Sequence, residues 1–277
     1  MTDTADKQFS IKTLFISRLK AIQTKLIIYV LKGKTKFYTH TPFVSDFINK
    51  VLHAKQQLPY FIAIEKLRNE LLQNNSIVRF DNLESEIKMG FSRESKINEI
   101  AKRASTPTRF GQLFSYIVDH YQCNTIIEIG TCLGMGTAYL ASANSNAKVI
   151  TLEGIKARAL VAEKNFEQLQ LKNIEVIIGN FSDTLPVAVD KFSTIDLAFI
   201  DGSHGYQQTI SYFHQISSKI NNDSILIFDD IRWSKEMYQT WKEIIKHPKV
   251  TVTIDLFRLG IVFFRKEQAK ENVSLYF

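Results

Sequence analysis

From about residue 97 onward, short apolar runs alternate with amphipathic stretches, and the last two runs are separated by only two residues. The runs are TIIEI at 125–129, KVITLE at 148–153, IEVIIG at 174–179, IDLAFID at 195–201 and SILIFDD at 224–230. Helical stretches are expected at 109–121, 134–144, 155–170, 182–189, 205–219 and 233–246. Apolar strands joined by helices imply parallel βαβ units, with helices covering both faces of the sheet. VTVTIDLF and GIVFFRK follow, with Arg258 and Leu259 between their apolar parts. A connection that short permits only an antiparallel hairpin. The expected fold is therefore α/β: a Rossmann-like, doubly wound, mostly parallel sheet of seven strands ending in an antiparallel hairpin.

The first hundred residues read differently. Phe15, Leu19, Ile22, Leu26 and Val30 recur at helical spacing among Lys12, Arg18, Lys20, Lys25 and Lys32. Further helices are expected at 39–52 and 58–75, with a charged link around 79–93. We divide the chain into a helical extension, 1–95, and a main domain, 96–277. Residues 1–110 hold 19 Lys and Arg against 10 Asp and Glu, whereas the rest is slightly acidic. The basic excess of this 277-residue chain thus belongs to its N-terminal part. That argues against a nucleic-acid surface on the main domain. The extension is expected to act as a lid, a docking element or a homodimer arm. Its first helix also has the character of a peripheral membrane contact. LIIYVL at 26–31 is too short to span a bilayer and MTDTADKQFS lacks a signal pattern, so a cytoplasmic location is expected. Cys123 and Cys132 suggest neither a disulfide framework nor zinc spacing.

The stretch TIIEIGTCLGMG at 125–136 sets a carboxylate, Glu128, at a strand end directly before a glycine turn. In an open parallel sheet, ligands bind beyond such strand ends. Gly130 permits a sharp turn and Gly134 a close helix start. The G-x-G-x-x-G dinucleotide pattern fails, because Cys132 and Met135 stand at its second and third glycines. Glu128 would repel a pyrophosphate and attract a cation. Glu153, at the end of the second strand, is placed to accept ribose hydroxyls. Asn180 and Phe181, beyond the third strand, are placed to read a base. Ribose and base recognition without a pyrophosphate cradle, beside carboxylates, describes S-adenosylmethionine, whose ammonium and sulfonium are both positive.

These residues carry a resemblance. EIGTCLG is similar to the E-[IL]-G-T-x-x-G loop of class I methyltransferases, and RFGQLF at 109–114 resembles the helix that precedes it. With the terminal hairpin, the segment from about 97 to 265 resembles the catechol and caffeoyl-CoA type O-methyltransferases. The resemblance implies a small-molecule hydroxyl as acceptor. It also implies cofactor contacts from Glu128, Gly130, Thr131, Gly134, Glu153, Gly154, Asn180, Phe181 and Asp201.

FIDGSHGY and FDDIRWS place Asp201, Asp229 and Asp230 at the ends of two strands expected to be neighbours. Crowded carboxylates need a proton or a cation between them. Oxygen ligands suit Mg²⁺ or Ca²⁺. The resembled family holds its metal with an Asp followed by an Asp-Asn pair. Asp201 matches the first and Asp229-Asp230 the pair, with Asp in place of Asn, which puts the Mg²⁺ in question. Trp233 falls where caffeoyl-CoA type enzymes carry a Trp. His204 stands where catechol-type enzymes place a lysine near the acceptor. Its unperturbed pKa of about 6.5 suits a base. Asp201 and His204 are the expected catalytic pair. Two other readings compete: an RNA or protein methyltransferase anchored by the basic region, and a non-catalytic module that binds S-adenosylmethionine. No N-P-P-Y type sequence follows the fourth strand, and neither Cys has a Pro-Cys setting. Both facts weigh against the first alternative.

Overall fold

A computed structural model describes residues 41–80 and 94–277. The basic helix expected at 15–30 and most of the charged link lie outside the described residues. The described chain opens with α1 (Pro42–Phe47), which runs on through a π turn at Ile48–Leu52. Next come α2 (Pro59–Gln73), a small antiparallel pair β1 (Ile77–Arg79) and β2 (Glu94–Lys96), then α3 (Ile97–Ala104) and α4 (Thr108–Tyr121). The alternating region follows as β3 (Thr125–Ile129), α5 (Met135–Ala143), β4 (Lys148–Glu153), α6 (Lys156–Gln168) and β5 (Ile174–Ile178). It continues with α7 (Phe181–Asp190), β6 (Leu197–Ile200), α8 (Tyr206–Ile216), β7 (Ile225–Phe228) and α9 (Lys235–Lys246). β8 (Val252–Leu256), β9 (Leu259–Phe263) and β10 (Glu271–Ser274) close the chain.

The main sheet has the order β10-β8-β9-β7-β6-β3-β4-β5. β3 to β7 run parallel to one another, and β9 pairs antiparallel with both β7 and β8. The doubly wound sheet and its terminal hairpin are as the sequence implies. An eighth strand, β10, adds to the edge parallel with β8. Its residues ENVS carry little apolar alternation, so the pattern gives no sign of it. Only Val273 and then Leu275 turn inward, both buried.

The central strands are buried on both faces and divide their side chains with period two. Ile126, Leu197, Phe199, Ile225 and Ile227 enter the core beneath α1, α4 and α5. Ile127, Ile129, Ala198, Ile200, Leu226 and Phe228 enter the core beneath α7, α8 and α9. Residues 42–52, read from sequence as extension, share the first of these cores. Val44, Phe47 and Val51 are fully buried there, and the Phe43 and Phe47 rings meet Phe263 edge-on at 5.0 and 5.8 Å. α2 lies on a third cluster, where Phe61, Ile64, Leu67 and Leu71 pack with Met135, Ala138 and Tyr139 of α5. No helix among the described residues is long and apolar enough to cross a membrane.

Candidate cofactor and acceptor site

The winding reverses between β3 and β6, because β4 and β5 lie on one side of that pair and β7 on the other. Loops leaving the two strands part there and open a crevice at their carboxyl ends. Five strand ends deliver polar residues to it: Glu128 before the β3 turn, Glu153 on β4, Asn180 after β5, Asp201 after β6 and Asp229-Asp230 after β7.

Glu128 lies in the face beneath α5 and is almost inaccessible, at 1%. Its Oε2 accepts from the Thr137 hydroxyl of α5 and from Thr151 Oγ1 of β4 at 2.6 Å. Burial pushes its pKa up to about 7; the two hydroxyls pull it down, and the Glu153 charge adds a further push upward. The other oxygen, Oε1, lies where a Cβ on Gly136 would come within 2.8 Å, and Thr106 Oγ1 is equally close to that point. Gly136 therefore lets the start of α5 close down on the carboxylate. Thr131, expected among the cofactor contacts, turns its hydroxyl into the core. Its hydroxyl is buried against Thr151 Oγ1 at 2.6 Å and its amide donates to Leu152 O, so it supports Glu128 from within the core.

The turn after β3 is tight. Gly130 has φ +105°, and a Cβ there would sit 2.6 Å from the Asp201 carbonyl oxygen. Asp201 N in turn donates to Ile129 O at 2.9 Å, which locks the two strand ends together. Gly134 (φ +80°) caps α5 in the left-handed region, against the Phe166 ring. Cys132 (φ 51°) donates its amide to Glu153 Oε2 at 2.7 Å, while Ile155 N donates to Oε1 at 2.9 Å. Two backbone amides thus orient the Glu153 carboxylate and favour its charge. The space over Gly154 is open: a Cβ there would find nothing nearer than Gly179 O at 4.0 Å. Burial holds both Cys132 and Cys123 as thiols, pushed up to about 12, so neither is a nucleophile.

Beyond β5, Asn180 caps α7, its Oδ1 accepting from Ser182 N at 3.3 Å. The Phe181 ring lies against Gly202, where a Cβ would come within 2.7 Å, and meets Tyr212 edge-on at 6.3 Å. It therefore bridges the ends of β5 and β6.

At the other side of the crevice, single oxygens of Asp201 and Asp230 and a ring nitrogen of His204 lie within 4.8 Å of one another. His204 Nε2 is 3.8 Å from Asp201 Oδ1. Burial drives the Asp201 pKa well above the ordinary carboxylate range, helped by the charges of Asp229 and Asp230 and opposed by Arg258. Burial and then the Asp229 charge raise Asp230, opposed by Arg258 and His204. Ser203, His204 and Asp230 all have positive φ (66°, 42° and 52°), a strained arrangement of the kind held at functional sites.

Asp229 takes a different role from the one its sequence position implies. It is buried, and both oxygens are held by Arg258, from Nε at 2.7 Å and Nη2 at 2.6 Å. Oδ1 also accepts from Asp230 N at 2.7 Å. The expected metal set of Asp201, Asp229 and Asp230 is thereby broken: a bidentate guanidinium, itself a cation, covers the central ligand. The remaining cluster contains an imidazole, which suits zinc, copper, iron or nickel rather than Mg²⁺ or Mn²⁺. The residues present do not fit an Mg²⁺ site. Trp233, next to this cluster, is 63% exposed, with its ring 6.3 Å from His204.

Sequence reasoning missed the groups that hold these residues: Thr137 and Thr151 around Glu128, and Arg258 on Asp229. Arg258 lay in plain sight as a hairpin spacer, but nothing local connects it to a residue 29 positions earlier.

Part of this chain is similar to known methyltransferases. A family described as a methyltransferase domain (Methyltransf_24) matches residues 127–231, from β3 through the turn after β7. A catechol O-methyltransferase of Mycobacterium tuberculosis is 26% identical over 131 residues, 47% of this chain and 58% of that protein. A catechol O-methyltransferase of Niastella koreensis is 32% identical over 94 residues, 33% of this chain and 42% of that protein. The chain thus spans about half the length of these relatives. In fold it is similar to an O-methyltransferase from Bacillus cereus solved with S-adenosylhomocysteine. The TM-score is 0.52 at 20% identity, covering 80% of this chain and 97% of that one.

Proposed function

We propose that this chain, whose residues 127–231 are a methyltransferase domain in a class I, Rossmann-like fold, moves a methyl group from S-adenosylmethionine to a hydroxyl of a small molecule without an Mg²⁺ ion. The observation that carries this reading is the pair of strand-end carboxylates. Glu153 is held ready by two amides, and Glu128 is buried with its charge poorly compensated. A ligand presenting ribose hydroxyls to the first and a cation near the second relieves both at once. The relatives named as catechol O-methyltransferases support the choice of a hydroxyl acceptor.

The cofactor supplies an activated methyl group on a sulfonium, so the protein must bind, orient and move one proton. Gly130, Gly134 and the open space over Gly154 admit the ligand, and Glu153 fixes its ribose. Phe181, bridging β5 and β6, offers a ring face beside a base. His204 takes the acceptor proton at Nε2, and the imidazolium that results, 3.8 Å from Asp201, favours ionisation of that buried carboxyl, which then stabilises it. Trp233 offers an exposed indole face to an aromatic acceptor.

Calorimetry with S-adenosylhomocysteine tests it. Hydrogen bonds to a charged acceptor are worth about 1.5–3 kcal/mol, so Glu153→Ala is expected to weaken binding by about ten- to hundredfold. His204→Ala is expected to leave that affinity in place and cut transfer of labelled methyl to a panel of phenols. An unchanged affinity in Glu153→Ala, or preferential binding of NAD(P), overturns the reading.

A further inference from the structure

We infer that the Arg258 guanidinium is the built-in cation of the acceptor site and that it binds a phenolic or enolic acceptor through the oxygen that becomes an anion, in the position a divalent metal would otherwise take. The inference rests on the methyl-transfer reading above and adds to it the group that meets the acceptor.

Arg258 sits in the two-residue turn of the β8–β9 hairpin, after Phe257, whose φ of 68° is strained for a bulky residue. Its backbone is also tied in, because Ile231 N donates to Arg258 O at 3.0 Å and Arg258 N donates to Leu256 O at 2.8 Å. The hairpin thus returns the chain to the end of β7 and fixes the side chain there. Asp229 takes one N–H from Nε and one from Nη2. Asp230 Oδ1 stands 3.4 Å from Nε. A guanidinium has five N–H donors, so three remain after Asp229 is satisfied. The side chain is about one-third exposed (35%), and its guanidinium carbon lies 5.6 Å from the centre of the Phe110 ring. The result is a planar donor group, held rigidly at the mouth of the crevice. Asp230 and Asp201 are its neighbours, and Asp201 approaches His204.

Such a group can do for an acceptor oxygen what a metal does electrostatically. It favours the oxyanion over the hydroxyl and fixes its direction before transfer. Unlike a lysine or a hydrated ion, it presents a flat fork that matches a planar oxygenated ring. The same bidentate pair excludes a metal from Asp229. A divalent ion would have to displace a guanidinium from a buried carboxylate and then sit beside it, against charge repulsion.

Two measurements on the full chain with S-adenosylhomocysteine decide the matter. In the first, Mn²⁺ is titrated and free ion followed by electron paramagnetic resonance. The wild type is expected to show no saturable site, and Arg258→Gln, which uncovers Asp229, to gain one. In the second, methyl transfer to a phenol panel is followed with and without a chelator. Chelation is expected to leave the wild-type rate unchanged. Arg258→Gln is expected to lower kcat/KM for the acceptor by about ten- to hundredfold, with S-adenosylhomocysteine affinity within about twofold. Arg258→Lys, which keeps the charge without the fork, is expected to recover part of the loss. Stoichiometric Mn²⁺ binding by the wild type, or a rate that falls on chelation, overturns the inference. So does an Arg258→Lys or Arg258→Gln enzyme as fast as the wild type. Should Arg258→Gln fail to fold, the lysine variant and both wild-type measurements still decide. Loss of the methyl-transfer reading would appear separately, as failure to bind S-adenosylhomocysteine at all.

Discussion

Tyr139 of α5 donates its hydroxyl to Glu65 Oε1 of α2 across 2.6 Å, joining a helix outside the family-matched segment to the helix that follows the glycine turn after β3. Glu65 also accepts from Thr108 Oγ1 at 2.8 Å and from Arg68 Nε at 2.9 Å, and Arg68 Nη2 donates to Thr106 O at 2.7 Å. One half-buried carboxylate therefore clamps the turn at 105–108, whose Thr106 hydroxyl lies beside the start of α5 and Glu128. Glu65→Ala would leave three donors short of a partner. We expect it to cost about 1–3 kcal/mol of stability in urea unfolding and to weaken S-adenosylhomocysteine binding as the turn loosens. Glu65→Gln, which keeps the acceptor oxygen, should lose less of both. Full-strength binding in a destabilised Glu65→Ala protein would confine the clamp to a structural role.

Stability should rise when Glu128 loses its charge. The folded pKa of about 7 lies above the ordinary glutamate value of 4.5. The folded state therefore holds an extra proton between those values, and stability from this group falls as pH rises from about 4.5 to 7. Above pH 7 the cost of the buried charge is complete, on the order of 3 kcal/mol. Glu128→Gln should then raise Tm at about pH 8 relative to the wild type, and the difference should shrink toward pH 5. Thermal unfolding at the two pH values checks this. A lower Tm for Glu128→Gln at high pH would mean that Thr137 and Thr151 compensate the charge more fully than burial opposes it.

The glycines of the loop fail for different reasons, and substitution should separate them. Gly130→Ala combines a φ of +105° with a Cβ 2.6 Å from a backbone oxygen, neither of which can yield. We expect a loss of about 1–3 kcal/mol or more from strain alone and no cofactor binding. Gly136→Ala has ordinary helical φ, and its Cβ would press on the Glu128 and Thr106 side chains at 2.8 Å. It should fold nearly as well as the wild type, because Ala favours the helix, yet bind cofactor more weakly. Circular dichroism melts and calorimetry on the two variants distinguish the outcomes. Equal behaviour would show that the space around Glu128 has no bearing on the ligand.

What the sequence disclosed and what it withheld divide along a physical line. Glu128, Glu153 and Asp201 could be placed from the chain alone, because period-two burial fixes where a strand ends and winding rules fix which ends meet. The hairpin was legible because two residues cannot make a parallel crossover. The role of Asp229 was not, since a carboxylate looks the same whether it faces a metal or a guanidinium. Its partner depends on a turn that is close only in three dimensions. The direction of the Thr131 side chain was hidden for a similar reason, since it follows from the turn at Gly130. β10 was missed because an edge strand needs little apolar pattern when the neighbouring strand supplies the ladder.

Cofactor binding should be linked to proton release. In the free protein Glu128 titrates near 7, and Asp201 is raised by the same burial and by its acidic neighbours. A ligand bearing an ammonium and a sulfonium near these groups favours their charged forms and lowers both pKa values. Binding below the free-state pKa must then expel a proton from Glu128. The Glu128 contribution to affinity should rise about tenfold per pH unit on approaching 7 from below and flatten above it. Calorimetry in buffers of different ionisation enthalpy counts the protons released, and S-adenosylmethionine should release at least as many as S-adenosylhomocysteine, which lacks the sulfonium. Glu128→Gln should remove the part of the dependence centred near 7 and leave that of Asp201. Binding that strengthens as pH falls would mean that the ligand presents its carboxylate, not its ammonium, to this side of the crevice, and the orientation assigned from Glu128 would have to be reversed.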